Sequence, residues 1–206
     1  MHALAGKFIV LDGGEGCGKT TQSHLLRSAL EQRGLSTLVV RDPGATRVGE
    51  QIRAILLNPD QADMNMRCEM LLYMAARAQL MAATILPALV AGQCVICDRF
   101  VSSTLAYQLG GDGLTAAEIK VVAQIAIAGR WPDLTIVLDM PLEQSQSRLN
   151  RPRDRIEQRP MEYHQRVRNN FLSQASAEPE KYRVIAAGRE SAAVHSDVLA
   201  AVLSLT

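Results

Sequence analysis

The sequence predicts an α/β fold in which a five-stranded parallel sheet is flanked by helices. Apolar, strand-like runs alternate with helical patterns along the chain, which is typical of a parallel sheet covered on both faces. The length of 206 residues suits a single domain, residues 1–206. The strand-like runs are residues 7–12, 36–41, 93–98, 134–139 and 182–186.

The composition excludes several classes of protein. The charges balance at +1 and 48% of the residues are apolar, so bulk charge does not suit the chain to coating nucleic acid or a membrane. The first residues lack the pattern of a signal peptide, and no apolar run approaches the length of a transmembrane helix. We therefore expect a cytoplasmic protein with no nucleic acid or membrane partner.

The first strand is followed by a glycine-rich loop and then by a helical pattern. The loop reads G-G-E-G-C-G-K-T and fits G-x-x-x-x-G-K-[ST], the phosphate-binding P-loop. Its glycines let backbone N–H groups converge on phosphate oxygens, and the helix start adds its positive dipole end. We expect Lys19 to reach the phosphates of a nucleoside triphosphate and Thr20 to bind Mg²⁺. The predicted phosphate-binding residues are Gly13, Gly14, Glu15, Gly16, Cys17, Gly18, Lys19, Thr20 and Thr21.

The second and third strands end in charged residues. In open parallel sheets ligands lie beyond the carboxyl ends of the strands, so three strand-end pairs should gather around one crevice: Asp12-Gly13, Arg41-Asp42 and Asp98-Arg99. Asp98 stands where such folds place a carboxylate that organises Mg²⁺. Arg41 and Arg99 are candidates for the phosphate of a second substrate. The simpler interpretations are a surface turn at Arg41 and an Asp–Arg helix cap.

The third strand also contains the spacing C-x-x-C, at Cys94 and Cys97, which can indicate a redox or zinc pair. Residues three apart in a strand point to opposite faces and lie about 10 Å apart, which is beyond the reach of a disulfide. We therefore expect two thiols of the core.

A long helical segment covers about residues 64–91, and Pro87 should kink or weaken its last turns. Tyr73 and Arg77 lie four residues apart on one face, so a ring and a guanidinium lie one above the other. Such a pair can stack on a base and hydrogen-bond its edge. Taken alone, it is more often a packed Tyr beside a solvated Arg.

A basic segment follows the fourth strand, with five arginines among residues 148–159. A run like this is usually a solvated basic face. Beside a triphosphate site it predicts a mobile lid over about residues 148–160, bracketed by Pro152 and Pro160, which brings guanidinium groups onto the transferring phosphoryl.

These stretches together resemble thymidylate kinase of the bacterial type, up to about residue 171. Each motif is weak alone, but their order and spacing are specific. The resemblance implies a P-loop nucleoside-monophosphate-kinase fold with a short lid, working as a homodimer. It implies transfer of the γ-phosphoryl of ATP to dTMP with Mg²⁺, giving dTDP for dTTP synthesis. The motifs are D-G-G-E-G-C-G-K-T-T at 12–21, R-D-P-G at 41–44, L-L-Y-M-A-A-R-A-Q at 71–79, C-D-R-F at 97–100, S-T-L-A-Y-Q at 103–108, R-W-P-D-L at 130–134 and D-R-I-E at 154–157.

The resemblance also implies roles for single residues. The lid would supply catalytic arginines, because the P-loop holds no basic residue before Lys19; Arg148 and Arg151 are candidates, and Arg153 and Arg155 are preferred. The implied catalytic residues are Lys19, Glu15, Arg99, Arg153 and Arg155. The implied substrate residues are Arg41 and Arg99 for the dTMP phosphate, Tyr73 and Arg77 for thymine, and Ser103, Thr104, Tyr107 and Gln108 for base and sugar. Thr20 and Asp98 would bind the metal.

Four positions depart from the family pattern. Asp42 and Ala45 stand where Glu and Gly are usual, Asp112 lies where a cation is expected, and Ala186 replaces a common Asp. These changes are compatible with lower activity or a broader substrate range.

Three alternatives stay open at this stage. One is another nucleoside-monophosphate kinase of the same fold that takes a different base. A second is a catalytically weakened relative kept for nucleotide binding. The third is a switch that hydrolyses or senses GTP, although the sequence has no N-K-x-D guanine signature.

Overall fold

The computed structural model describes residues 3–148 and 152–205 and folds them around one sheet. Its five strands are parallel, in the spatial order β2-β3-β1-β4-β5. The fold class predicted from the sequence is therefore confirmed. The strands are β1 (Phe8–Asp12), β2 (Thr37–Arg41), β3 (Cys94–Asp98), β4 (Leu134–Asp139) and β5 (Tyr182–Ala186).

Helices connect successive strands, and three of them begin with side-chain caps, from Thr46, Asn65 and Thr115. Thr46 accepts a hydrogen bond from the Gly49 N–H at 2.9 Å, and Thr115 forms a reciprocal capping box with Glu118. The helices are α1 (Lys19–Glu31), α2 (Arg47–Leu57), α3 (Met66–Leu80), α4 (Leu86–Val90), α5 (Val101–Tyr107), α6 (Ala116–Ala126), α7 (Leu142–Ser147), α8 (Met161–Ala177) and α9 (Ser191–Leu203).

The sheet separates two hydrophobic cores. Because side chains alternate along a strand, Phe8 faces the core under α3, α5, α6 and α8, whereas Ile9 faces the core under α1 and α9. Cys97 lies in the first core and Cys94 in the second, and burial raises the pKa of both thiols. The prediction of two core thiols is confirmed.

The long helix after α2 is interrupted by one wide turn. A π-helical turn, Met81–Ile85, joins α3 to α4 just before Pro87. Proline lacks an N–H and its ring collides with the carbonyl four residues earlier in a regular helix, and the wider turn relieves both problems. This turn is the local weakening that Pro87 predicts.

By length and composition alone, one helix of the described chain could cross a membrane. It is Met66–Val90, in which an 18-residue window has a mean hydropathy of 1.3. The charged residues Glu69 and Arg77 lie within this helix, so its apolar residues do not form one uninterrupted run of that length. Both are buried and ion-paired to other parts of the fold, as expected of a core helix in a folded domain.

The carboxyl ends of three neighbouring strands meet at one edge of the sheet. Leu11 of β1 and Arg41 of β2 both stand in register with Asp98 of β3. The glycine-rich loop leaves the sheet at this edge, and α5 begins directly beside it. Sheet register therefore brings together the residues that the sequence places at strand ends.

Candidate active site

The glycine-rich loop curls back over the end of the sheet. Gly13 has a φ of 135°, and a Cβ there would lie 2.5 Å from the carbonyl oxygen of Leu138, so the loop requires glycine at this position. Lys19 begins α1, and its Nζ donates to the carbonyl oxygens of Gly14 at 2.6 Å and Gly13 at 3.3 Å. The helix start and the ammonium group therefore face one place, as a phosphate cradle requires.

Thr20 and Asp98 form a candidate metal site beside this loop. The Thr20 hydroxyl donates to Oδ2 of Asp98 at 2.7 Å, and both residues line the cavity that also contains Lys19 and Thr21. A hydroxyl and a carboxylate are hard oxygen ligands of the kind that Mg²⁺ takes together with phosphates and water. The donor set fits Mg²⁺, and the binding of Mg²⁺ itself stays a prediction.

Arg99 lies between the loop and α5. Its Nη1 donates to the Gly13 carbonyl oxygen at 2.9 Å and to the Ser103 hydroxyl at 3.0 Å, and its Nη2 donates to Oε1 of Glu15 at 2.5 Å. Burial opposes the charge, but the nearby carboxylates, Glu15 foremost, hold the pKa of Arg99 well above its ordinary value. Arg99 is thus a fixed cation in the crevice.

Asp12, the last residue of β1, lies at the crevice as its strand-end position predicts, and it supports this cation. The Ser102 and Ser103 hydroxyls each donate to Asp12 at 2.6 Å, and Nη1 of Arg99 lies 3.5 Å from it. Burial raises the pKa of Asp12, while Arg99 and the two serines oppose that rise. Its position at a strand end was the available signal.

A second cavity adjoins the loop at Glu15 and Arg99. It is built from α2, α3, α5 and the segment 154–156. Arg41 lies instead in the cavity over the loop, where its half-exposed guanidinium donates to Glu50 at 2.7 Å. The other predicted substrate residues all line the second cavity, which we call the acceptor cavity: Tyr73, Arg77, Arg99, Ser103, Thr104, Tyr107 and Gln108.

Arg77 is fully enclosed in one wall of the acceptor cavity. Its Nε donates to Oδ2 of Asp42 at 2.5 Å, and its other nitrogens donate to the Thr104 hydroxyl and the Phe100 carbonyl oxygen, each at 3.1 Å. The simpler interpretation of a solvated Arg is therefore wrong, because only 1% of the residue is exposed. Its predicted contact with thymine stays a prediction.

Arg53 is a basic residue of the site that sequence reasoning missed. It lines both the cavity over the loop and the acceptor cavity, and it donates to the Pro43 carbonyl oxygen at 3.1 Å. Burial and the neighbouring Arg41 and Arg99 lower the pKa of Arg53, so three guanidinium groups share one small volume. Arg53 lies inside α2 without a motif, and only its place beside Arg41 after folding reveals it.

The described arginines of the predicted lid lie in three different surroundings. Arg148 lines the cavity over the loop, and Arg153 lines a further cavity together with Gly13, Gly14 and Glu15. Arg155 is 6% exposed and donates to Glu69 at 2.6 Å and to the Leu56 carbonyl oxygen at 2.9 Å. It does not line the cavities that border the glycine-rich loop.

Arg151 lies outside the described residues. The catalytic roles of Arg153 and Arg155 stay predictions, but the two guanidinium groups have different surroundings. Arg153 lies beside the loop. Arg155 is held by a buried carboxylate of α3.

Comparisons with known proteins identify the family of this chain. The family model described as thymidylate kinase matches residues 11–198. The chain is 48% identical to the thymidylate kinase of Pelotomaculum thermopropionicum, over 96% of this chain and 93% of that protein. It is 42% identical to that of Neisseria gonorrhoeae, over 93% and 94% of the two chains. The chain belongs to the thymidylate kinase family.

A solved structure supports the same conclusion. The crystal structure of the thymidylate kinase from Ehrlichia chaffeensis is similar with a TM-score of 0.78 and 30% identity, covering 96% of this chain and 98% of that one. The predicted family resemblance and the predicted class, a nucleoside-monophosphate kinase, are confirmed. The predicted phosphorylation of dTMP is likewise supported by this family, which does not favour the alternatives of a different base or of a catalytically weakened relative.

The departures from the thymidylate kinase pattern have local structural consequences. Asp42 pairs with Arg77, and its Oδ1 is buried without a hydrogen-bond partner in the described part of the chain. Ala45 has a φ of 59°, a left-handed conformation that suits glycine. Asp112 accepts a hydrogen bond from the Met66 N–H at 2.6 Å, so its carboxylate caps the first turn of α3.

Proposed function

We propose that this chain transfers the γ-phosphoryl of ATP to dTMP with Mg²⁺, as a homodimer in the cytoplasm. The observation that carries the proposal is the meeting of two cavities. The cavity over the P-loop and the acceptor cavity share Glu15, Asp42, Arg53 and Arg99. Two anionic nucleotides in these cavities would face each other across a common cationic boundary, which is the arrangement that phosphoryl transfer needs.

The P-loop side of the boundary suits the donor. Lys19 and the N–H groups at the start of α1 would hold the phosphates of ATP. Thr20 and Asp98 would hold Mg²⁺, which when bound there neutralises charge on the phosphate oxygens. Arg148 stands at the same cavity.

The acceptor side suits a pyrimidine monophosphate. Arg99 and Arg53 would bind the phosphate, and Arg41 stands at the neighbouring cavity. Tyr73 offers its ring for stacking on the base. The Tyr107 hydroxyl donates to Oε1 of Glu15 at 3.0 Å, so these two side chains together form the wall that would meet the sugar.

The chemistry asks for positioning and charge neutralisation rather than for a general base. The phosphate of the acceptor is itself a nucleophile near neutral pH, so no protein group has to remove a proton. Arg99 fixes the acceptor phosphate, and Lys19 and Arg153 would stabilise the charge of the transferring group. Because Arg153 belongs to the lid, closure of the lid would favour transfer to dTMP over hydrolysis.

An apolar surface supports the proposal of a homodimer. α3 packs against both α2 and α6, and these helices expose large apolar side chains. Ile55, Leu71, Val121 and Ile125 are 46%, 53%, 63% and 79% exposed. Burying this surface against a second copy would remove it from water. Light scattering should give twice the chain mass of 22.5 kDa; a mass of one chain would contradict this part of the proposal.

A coupled nucleoside-diphosphate assay tests the proposed activity. We expect ATP-dependent phosphorylation of dTMP, slower reaction with dUMP, and no significant reaction with dGMP or AMP. Lys19→Ala is the matched inactive control, because it removes the ammonium group from the P-loop. If the enzyme preferred another monophosphate, that nucleotide would replace dTMP as the proposed acceptor. Tight nucleotide binding without phosphorylation of any acceptor would favour the catalytically weakened relative.

A further inference from the structure

A buried carboxylate with three donors lies beside the acceptor cavity. Glu69 of α3 is 0% exposed, and its Oε2 accepts from Nη2 of Arg155 at 2.6 Å and from Nη2 of Arg159 at 2.8 Å. Its Oε1 accepts from Nε2 of Gln108 at 2.7 Å. We call these four residues the Glu69 cluster. Through Arg155 and Arg159 it joins the predicted lid segment to Gln108, which lines the acceptor cavity.

The two guanidinium groups of the Glu69 cluster are themselves anchored. Arg155 also donates to the Leu56 carbonyl oxygen at 2.9 Å, at the end of α2. The Arg159 guanidinium lies 4.6 Å from the centre of the Tyr163 ring. The Tyr163 hydroxyl donates to the carbonyl oxygen of Tyr107 at 3.0 Å, next to Gln108 in the chain. The cluster is therefore held from α2, α5 and α8 at once.

The Glu69 cluster fixes which way the Gln108 amide faces. A carboxylate between two guanidinium groups offers only acceptor oxygens, so the amide nitrogen of Gln108 has to face Glu69. The carbonyl oxygen of the same amide then faces away from Glu69. Gln108 lines the acceptor cavity together with Arg77 and Thr104, so this oxygen would be available to accept from a base bound there.

The direction of this amide matters for the choice of base. Thymine and uracil carry an N3–H donor between two carbonyl oxygens, whereas cytosine carries an unprotonated N3 and an amino group. A fixed carbonyl oxygen accepts from the N3–H of an imide base and repels the lone pair of the cytosine N3. A reversed amide would have the opposite preference. By holding the amide in one direction, the Glu69 carboxylate therefore maintains the preference for an imide base over cytosine.

We propose that Glu69, clamped by Arg155 and Arg159, is a positioning residue that fixes the Gln108 amide and makes the acceptor cavity select an imide base over cytosine. This inference rests on the proposed function and names how that acceptor site distinguishes pyrimidines. It also gives Arg155 a role in acceptor recognition, separate from the transferring phosphoryl.

The first test is the variant Glu69→Gln, assayed with dTMP and dCMP. The new amide has both a donor and an acceptor, so it allows Gln108 to face either way while keeping nearly the same shape. We expect the ratio of kcat/KM for dTMP over dCMP to fall by about tenfold, the effect of one hydrogen bond made or missed. The change should lie in the KM for dTMP, with kcat and the KM for ATP within about twofold of wild type.

A second variant keeps the test decisive if Glu69→Gln does not fold. Arg159 is partly exposed, and Arg159→Gln removes one of the two clamps while Arg155 stays. We expect the ratio of kcat/KM for dTMP over dCMP to fall by about a third as much as in Glu69→Gln, because one guanidinium still restrains the carboxylate. Dissociation constants for dTMP and dCMP, measured without ATP, should show the same loss of preference.

Asp133→Asn is the matched control for loss of a partly buried carboxylate. Asp133 pairs with Arg130 at 2.5 Å and Lys7 at 3.3 Å, and it precedes β4 at the opposite edge of the sheet from the crevice. We expect it to lower the Tm and to leave the dTMP to dCMP ratio unchanged. The Tm of all variants then separates a loss of stability from a loss of preference.

The possible results separate this inference from the proposed function. A wild-type enzyme that prefers dTMP, with an unchanged ratio in Glu69→Gln and Arg159→Gln, overturns the positioning role alone. A fall in kcat at an unchanged ratio also overturns it, because the cluster would then act on phosphoryl transfer. A wild-type enzyme that phosphorylates no pyrimidine monophosphate overturns the proposed function itself.

Discussion

The contacts within the P-loop and those of the acceptor cavity differ in how far along the chain they reach. Lys19 bonds to Gly14 and Gly13, which are five and six residues away. In the acceptor cavity Arg77 pairs with Asp42 across 35 residues, and beside it Arg155 pairs with Glu69 across 86 residues. A short-range motif carries its own geometry, whereas charges that are distant in sequence meet only when the sheet and helices have formed. Substitutions in the two regions should therefore have different kinetic signatures.

The largest effect should follow from Arg99→Ala, at the boundary between the two regions. Arg99 joins Glu15, Gly13 and Ser103, and its removal would leave no fixed cation in that place. We expect kcat/KM for dTMP to fall by at least about a thousandfold, with the dissociation constant for ATP within about twofold of wild type. The coupled assay and an ATP titration measure the two quantities. Arg41→Ala is the control, since the half-exposed Arg41 should matter much less, and an unaffected rate in Arg99→Ala would mean that the acceptor site lies elsewhere.

Next in size is the contrast between Arg153→Ala and Arg155→Ala, two residues of the same segment. Arg153 lies beside the P-loop, so its loss should lower kcat by about a hundredfold and leave the KM for dTMP nearly unchanged. Arg155 is bound to Glu69, so its loss should raise the KM for dTMP and lower the Tm. Steady-state kinetics and thermal melting separate the two. If the two variants lowered kcat equally, Arg153 and Arg155 would not differ in function as proposed.

A smaller effect is expected from Tyr73→Ala, which removes a ring from the acceptor cavity. Loss of stacking on a base should raise the KM for dTMP by about tenfold and leave the KM for ATP unchanged. Tyr73→Phe is the control that keeps the ring and should bind dTMP nearly as well as wild type. If Tyr73→Ala changed the KM for ATP instead, the donor and acceptor cavities would have to be exchanged.

The smallest effect concerns the loop between the two regions. Ala45 has a φ of 59°, so Ala45→Gly should raise the free energy of unfolding by about 0.5–1 kcal/mol, as relief of strain exceeds the added freedom of the unfolded chain. The control Ala54→Gly, in the interior of α2, should lower it by about 1 kcal/mol. Urea unfolding measures both. Changes of the same sign in the two variants would show that φ at position 45 is not the cause.

The sequence predicted the fold and the P-loop well, because both depend on short-range patterns. Alternation of apolar runs and helices fixes a parallel sheet, and glycines before Lys19 fix the loop between strand and helix. The positions of Asp98 and Arg99 at the crevice could also be predicted, because the carboxyl ends of parallel strands lie at one edge of the sheet. The sequence did not reveal Arg53, which belongs to no motif.

The sequence by itself determined the order of strands and helices and the residues at their ends, because periodicity and turn chemistry act over a few residues. Only the tertiary structure decided which distant charges meet. The fold brings Arg155 into contact with Glu69, Asp112 with the first turn of α3, and Ser102 with Asp12. The physical reason is that a buried charge must find a partner, and the fold alone determines which partner lies within reach.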